Sequence, residues 1–391
     1  MRLWMCLLLV VGCSSTNSPA PAPTPDVGAA DAAPPLPSLG LNDVSVLLPI
    51  PSSPAAKGYL GPTTSGAKGE LLPRAVYDEI PKFGVEPAEG LDFARMRAIG
   101  IRFDGCFPAP AGCEAQIRVV MQPITDQRAT LDSAIHLFYR LTEDELAELT
   151  VGLRQLRSLA PEVQDAPLDV HAALIAQGAQ GEYGTALNEL VLRYAGADNL
   201  RRMTFFLRSP SINEFWIMGG FDRANGALKP LDIVGVGKGN QRVDRLDDAD
   251  TSTGYSYQFT PEGNTPETLT ALMSTEVAKT SSAEDRAKAL AAVARLENPT
   301  KYGPDQLPCG GCHVTTVVAA FTKRDHGLDM ATLPDTFMSS HDLTVRGDAA
   351  KTPSSLRAFG WFGKLPMISQ RVVNESAAVV DDLEKRFPRT K

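Results

Sequence analysis

Residues 308–314 read Pro308-Cys309-Gly310-Gly311-Cys312-His313-Val314. Two cysteines three positions apart stand about one turn apart on a helix, and the imidazole that follows leaves from the same turn. Such a trio serves a redox dithiol, part of a zinc site, or the attachment of a metallated macrocycle. A closed structural zinc site needs four ligands, and no second Cys pair exists in the chain to complete one. The compartment separates the remaining chemistries, so the rest of the chain decides.

Around the motif the sequence reads as helix. Ala-rich patterns run through PETLTALMSTEVAKT and SSAEDRAKALAAVARLENP, the second ending near Asn298, and a Pro/Gly-containing loop leads to Cys309. The chain closes with VNESAAVVDDLEKRF, amphipathic and basic in its last turn. Strand signals vanish from Pro266 on, so residues 266–391 are expected to be mostly α-helical, with the motif in a helical unit of about 299–391.

Residues 41–265 read differently. GIRFD, AQIRVVMQPI, SAIHLFYRL, RRMTFFLR and EFWIMGGF are rich in β-branched and aromatic residues and predict strands, as, more weakly, does LNDVSVLLPIP. Helices interrupt them. Thr142 with Glu145 forms a capping box ahead of Leu146, Leu149, Leu153 and Leu156, and a second helix runs through TALNELVLRYAG. The expected architecture is an α+β N-terminal domain of unknown role followed by the helical region.

The chain's 391 residues are 43 % hydrophobic, enough for one large or two ordinary cores. A formal charge of −8 without a basic cluster leaves no electrostatic footprint for nucleic acid. The N-terminus, MRLWMCLLLVVGCSS, has one basic residue, a short apolar run and then Cys13. The run is too short to span a bilayer and suits a signal peptide over residues 1–12. Val10-Val11-Gly12-Cys13 resembles the lipobox of bacterial lipoproteins; that resemblance implies cleavage before Cys13, a lipid on its thiol and, with Ser14 following, sorting to an outer membrane where one exists. An ordinary signal with an incidental cysteine is the plainer alternative. The Pro/Ala-rich residues 13–40 cannot bury enough apolar surface to fold and read as a tether. Export favours disulfides, and Cys106 and Cys113, flanking FPAPAG, are within reach of each other; two unpaired buried thiols are the alternative.

In an exported chain, Cys309-x-x-Cys312-His313 resembles the attachment sequence of c-type cytochromes. The resemblance implies one haem c, with thioethers at Cys309 and Cys312 and His313 as proximal iron ligand. It is to class I cytochromes c and extends over the last 90 or so residues, where a loop Met supplies the distal ligand. Met367, in Leu365-Pro366-Met367 just ahead of the last helix, stands about where that Met belongs; Met330, Met338, His326 and His341 also follow the motif. The helix–loop spacing before Cys309 and the Pro ahead of Met367 depart from that family's usual arrangement. Arg357, Trp361 and Arg371 flank Met367 and suit propionate contacts, or ordinary packing and surface charge.

The expected function is that of a lipid-anchored monohaem cytochrome in the bacterial cell envelope, exchanging single electrons with partner proteins that the sequence does not identify. A peroxidase-like oxidoreductase, and a ligand-binding lipoprotein with a structural or sensory haem, are the alternatives. GVGKGN lacks the phosphate-loop spacing, and DRLDDAD lacks the glycine and final glutamate of a calcium loop. His136 and His171, each alone in sequence, read as structural histidines.

Overall fold

Alternation in the predicted strands is realised as a large antiparallel sheet. The computed structural model describes residues 36–81, 92–105, 114–160, 166–209, 215–247, 257–261, 280–327, 333–347, 349 and 355–389. In chain order the strands are β1 (Ser45–Leu47), the small pair β2 (Ser65–Gly66) and β3 (Gly69–Glu70), β4 (Met96–Asp104), β5 (Gln116–Pro123), β6 (Ala134–Arg140), β7 (Leu200–Arg208), β8 (Phe215–Ala224), β9 (Ala227–Pro230), a second small pair β10 (Asp232–Ile233) and β11 (Gly237–Lys238), β12 (Asn240–Asp247), β13 (Tyr257–Pro261), and the hairpin β14 (Phe359–Phe362) and β15 (Leu365–Ile368). Nine strands form the main sheet in the order β1-β4-β5-β6-β7-β8-β12-β13, with β9 paired to β8.

Because successive side chains point to opposite faces, the register sorts them into two layers. On one face Ile117, Val119 and Met121 stand opposite or diagonal to Ile135, Leu137 and Tyr139, all without exposure. They share a core with Leu146, Leu149, Leu153 and Leu156 of helix α3 (Glu143–Ser158) and with Leu187 and Val191 of α5 (Glu182–Tyr194). Short helices α1 (Leu41–Val44), α2 (Arg74–Tyr77) and α4 (Ala172–Gln177) complete the N-terminal set. Thr142 caps α3 as its sequence predicts: its hydroxyl accepts from the Glu145 amide, and Glu145 returns the bond to the Thr142 amide.

The other face carries two cross-strand rows, Arg102-Arg118-Phe138-Arg202-Asp222 and Gly100-Val120-His136-Thr204-Gly220. Further along it, Phe206, Trp216, Met218 and Val243 form a second core with Val293 of α6 (Ala283–Glu297) and Val314, Val317 and Val318 of α7 (Cys309–His326). Helix α8 (Gln370–Arg386) closes over the charged row. Its Glu375 lies 2.9 Å from Arg102 and 2.7 Å from Arg371, and Arg118 is ion-paired with Asp104. The described residues belong to one compact unit, Leu36–Lys391.

The expectation of a mostly α-helical, cytochrome c-like domain following a separate α+β domain is therefore corrected. A nine-stranded antiparallel sheet dominates the fold. The apolar faces of α6 and α7 are buried against strands of that sheet instead of against a helical bundle of their own. Strands also persist past residue 266, since β14 and β15 pair with each other there. Gly100 on β4 lets this hairpin close in: a Cβ at that position would stand 2.8 Å from the Phe359 ring. Gln122 then brackets Trp361, accepting from its amide at 2.7 Å and donating to its carbonyl at 2.9 Å.

Candidate functional site

Pro308 precedes the first turn of α7, which holds the motif of residues 309–313. The Gly310 amide, one of the donors that a helix start leaves without an intrahelical partner, reaches the side-chain oxygen of Gln241 on β12 at 2.6 Å. That bond seats the helix start on the sheet. Cys309 and Cys312 are both free thiols, packed against the second core. Burial pushes the Cys309 thiol up to about 12 and raises that of Cys312, the opposite of the lowered value that makes a cysteine reactive at neutral pH.

His313 is held more specifically. Its Nδ1 lies 2.6 Å from the Leu356 carbonyl, which can only accept, so Nδ1 carries the proton and Nε2 keeps its lone pair. Burial lowers its pKa to about 4, leaving the ring neutral. The ring stacks on Phe206 at 5.2 Å between centroids and 19° between planes. The Leu356 carbonyl is in turn fixed by its neighbours. Ser355 Oγ donates to Asp132 at 2.8 Å, the Arg357 guanidinium lies 3.5 Å from Asp132 and 4.5 Å over Phe206, and Trp216 Nε1 donates to Asp132 at 2.9 Å.

His313 and Phe206 border a cleft of about 320 Å³ between the sheet and α7, lined also by His136, Thr204, Met218, Cys309 and Cys312. A second cleft of about 120 Å³ shares His136, Cys312 and His313 and continues toward Val120, Phe359 and Glu375. His136 projects from β6 into both, and its Nε2 is buried with no hydrogen-bond partner among the described residues. Burial, followed by the positive charge of the Arg357 guanidinium, holds its pKa well below the ordinary imidazole value.

No family model, curated protein or solved structure matches the chain. The site therefore stands on its own geometry.

The structure brings Cys309, Cys312 and His313 to a common cleft and places the other candidates elsewhere. Met367 is fully buried on β15 opposite Gly360 and does not line either cleft. Met338 is 78 % exposed, and His341 Nε2 lies 3.2 Å from Asp381. His326 stands at the far end of α7; its side chain, together with Met330, Cys13, Cys106 and Cys113, lies outside what the structure describes. Trp361 Nε1 donates to the Leu48 carbonyl, and Arg371 to Glu375 and the carbonyls of Leu296 and Tyr302. Arg118 and Arg202 line the larger cleft instead, paired with Asp104 and with Asp222 and Asp305. Sequence reasoning read His136 as a structural histidine and passed over Phe206 and Asp132. The available signal was the alternation of SAIHLFYRL, which sets Ala134, His136 and Phe138 on a face separate from Ile135, Leu137 and Tyr139.

As a test of fit, the cleft offers the donor set of a covalently bound haem: two thiols one turn apart, an adjacent imidazole with Nδ1 committed, and apolar walls from Phe206 and Met218. Among the described residues no group of three or more His, Cys, Asp or Glu side chains converges as a bare metal site.

Proposed function

We propose that this protein is an exported, lipid-anchored, monohaem c-type cytochrome of the bacterial cell envelope that passes single electrons between partner proteins. Its haem is carried on an antiparallel sheet faced by helices. Cys309 and Cys312 would form the thioethers, each thiol adding its S–H across one vinyl double bond, and His313 Nε2 would be the proximal ligand. Bound there, the haem supplies a one-electron iron couple.

The observation that carries the reading is the bond from His313 Nδ1 to the Leu356 carbonyl, beside two thiols in one cleft. Metal-ligating histidines commit their second nitrogen in this way, which sets tautomer and ring orientation and raises ligand basicity. Asp132 ties down Ser355 and Arg357, which flank Leu356, Phe206 stacks on the ring, and the raised thiol pKa values disfavour a working dithiol couple. The lipobox-like residues 10–13 support attachment to the membrane through Cys13, and no helix among the described residues is long and apolar enough to cross one.

The test is expression of the full chain, signal included, with a cytochrome c maturation system, followed by haem staining on a denaturing gel. A signal that survives denaturation and disappears in the Cys309→Ala/Cys312→Ala variant is expected. An exported, folded protein that carries no covalent haem overturns the proposal.

A further inference from the structure

We propose that His136, on the central strand β6, is the second axial ligand of the haem, so that the iron is held between one imidazole of the sheet and one of helix α7. This rests on the haem reading above and deepens it.

His136 lines both clefts, and in both it is accompanied by Cys312 and His313. Its Nε2 is buried and makes no hydrogen bond among the described residues. An unsatisfied buried polar atom costs about 1–3 kcal/mol and calls for an explanation. A buried imidazole nitrogen without a partner, on a residue that lines the same two clefts as His313, is explained by a metal held between the two rings. The sheet makes room for this. The side chains flanking His136 in its cross-strand row are the small Val120 and Thr204, with Gly100, covered by the Phe359 ring, and Gly220 beyond.

The thioethers are less well placed. Met367 is not at either cleft, and Met218, which lines only the larger one, is packed into the apolar core with Phe206 and Trp216. A second imidazole in place of a thioether also holds the reduction potential lower, the chemistry of a low-potential carrier.

The experiment uses the full chain, matured with haem. Wild-type protein is expected to be six-coordinate and low-spin in both oxidation states, to lack the thioether-to-iron charge-transfer band, and to give the paramagnetic resonance signature of two imidazoles. His136→Ala is expected to keep the same covalent haem content by pyridine haemochrome, to become high-spin, to bind cyanide or carbon monoxide readily, and to return to low-spin with added imidazole. His136→Met should stay low-spin, gain the thioether band and shift to higher potential. A thioether band in the wild type, or a His136→Ala variant that stays low-spin without imidazole, overturns the assignment while leaving covalent haem intact. Should His136→Ala not accumulate, the wild-type resonance signature decides alone. Absence of covalent haem from the wild type overturns the haem reading itself, a different failure seen on the gel before any spectrum is taken.

Discussion

Two buried glutamates near Arg371 respond to their surroundings in opposite ways. Burial opposes the charge of Glu375, but the guanidiniums of Arg371, Arg102 and Arg118 outweigh it and hold its carboxyl well below the usual carboxylate range. A depressed folded value contributes stability above the unfolded value near 4.5, and that contribution is lost as pH falls below it. Glu375→Gln is therefore expected to destabilise at pH 7 by about 3–5 kcal/mol, since it leaves buried guanidiniums uncompensated, and to flatten the acid limb of a denaturation series. Glu297 faces one Thr316 hydroxyl and a more distant Arg371, so burial wins and raises its pKa to about 7. Here the sign reverses: the contribution is complete below about pH 4.5 and is lost as pH rises through 7, for a total of about 3 kcal/mol. Urea denaturation of Glu297→Gln should show stability close to wild type at pH 4.5 and higher than wild type at pH 8. Equal stability of the two proteins at both values would contradict the assignment.

Among the elements, α7 borders both clefts and the β14–β15 hairpin the smaller one, α7 seated by Gln241 and the hairpin by Gly100, Gln122 and Thr130. Gln241, with no exposure, accepts from Gly310 at the start of α7. Gln241→Leu removes the acceptor and is expected to cost about 1–3 kcal/mol, read by chemical denaturation, and, on the proposed haem reading, to lower the covalent haem carried per chain. At Gly100, alanine would drive the hairpin outward through Phe359 and should cost about 1–3 kcal/mol by overpacking. A shift of the bond between His313 and the Leu356 carbonyl would accompany it, visible as a change in the imidazole proton resonances of the haem-free protein. The hairpin was not legible in FGWFGKLPMI, whose strands are four residues long and whose Pro366 is a strand breaker; its place depends on Gln122 and Thr130, more than 230 positions away in the chain.

At the scale of the whole molecule, the C-terminal third is a layer of the sheet and not a domain of its own. Val314, Val317 and Val318 of α7 are covered by Phe206, Trp216 and Val243, and Glu375 of α8 by Arg102 and Arg118. A fragment of residues 266–391 should therefore show no cooperative thermal transition and little protection from proteolysis, whereas the full chain shows both. A cooperatively folding fragment would reinstate an independent helical domain.

Much of the secondary structure was determined by local pattern alone. Five strands followed from β-branched and aromatic runs, α3 from its capping box and leucine spacing, α6 and α8 from their periodicity, and the trio of Cys309, Cys312 and His313 from three near-adjacent positions. Each of these rests on interactions within a few residues, which a sequence states directly. Only the tertiary structure decided what covers the second face of the sheet. Alternation in SAIHLFYRL says that His136 and Phe138 leave the strand opposite Ile135 and Leu137, and it predicts solvent there unless a distant segment arrives. That segment is α7, some 170 residues later, whose apolar side finds its partners on β7, β8 and β12. Leu356 and Phe206, which contact His313, and His136, which lines the same cleft, come from three separate stretches of chain, and no spacing rule links them; the packing of helix on sheet does.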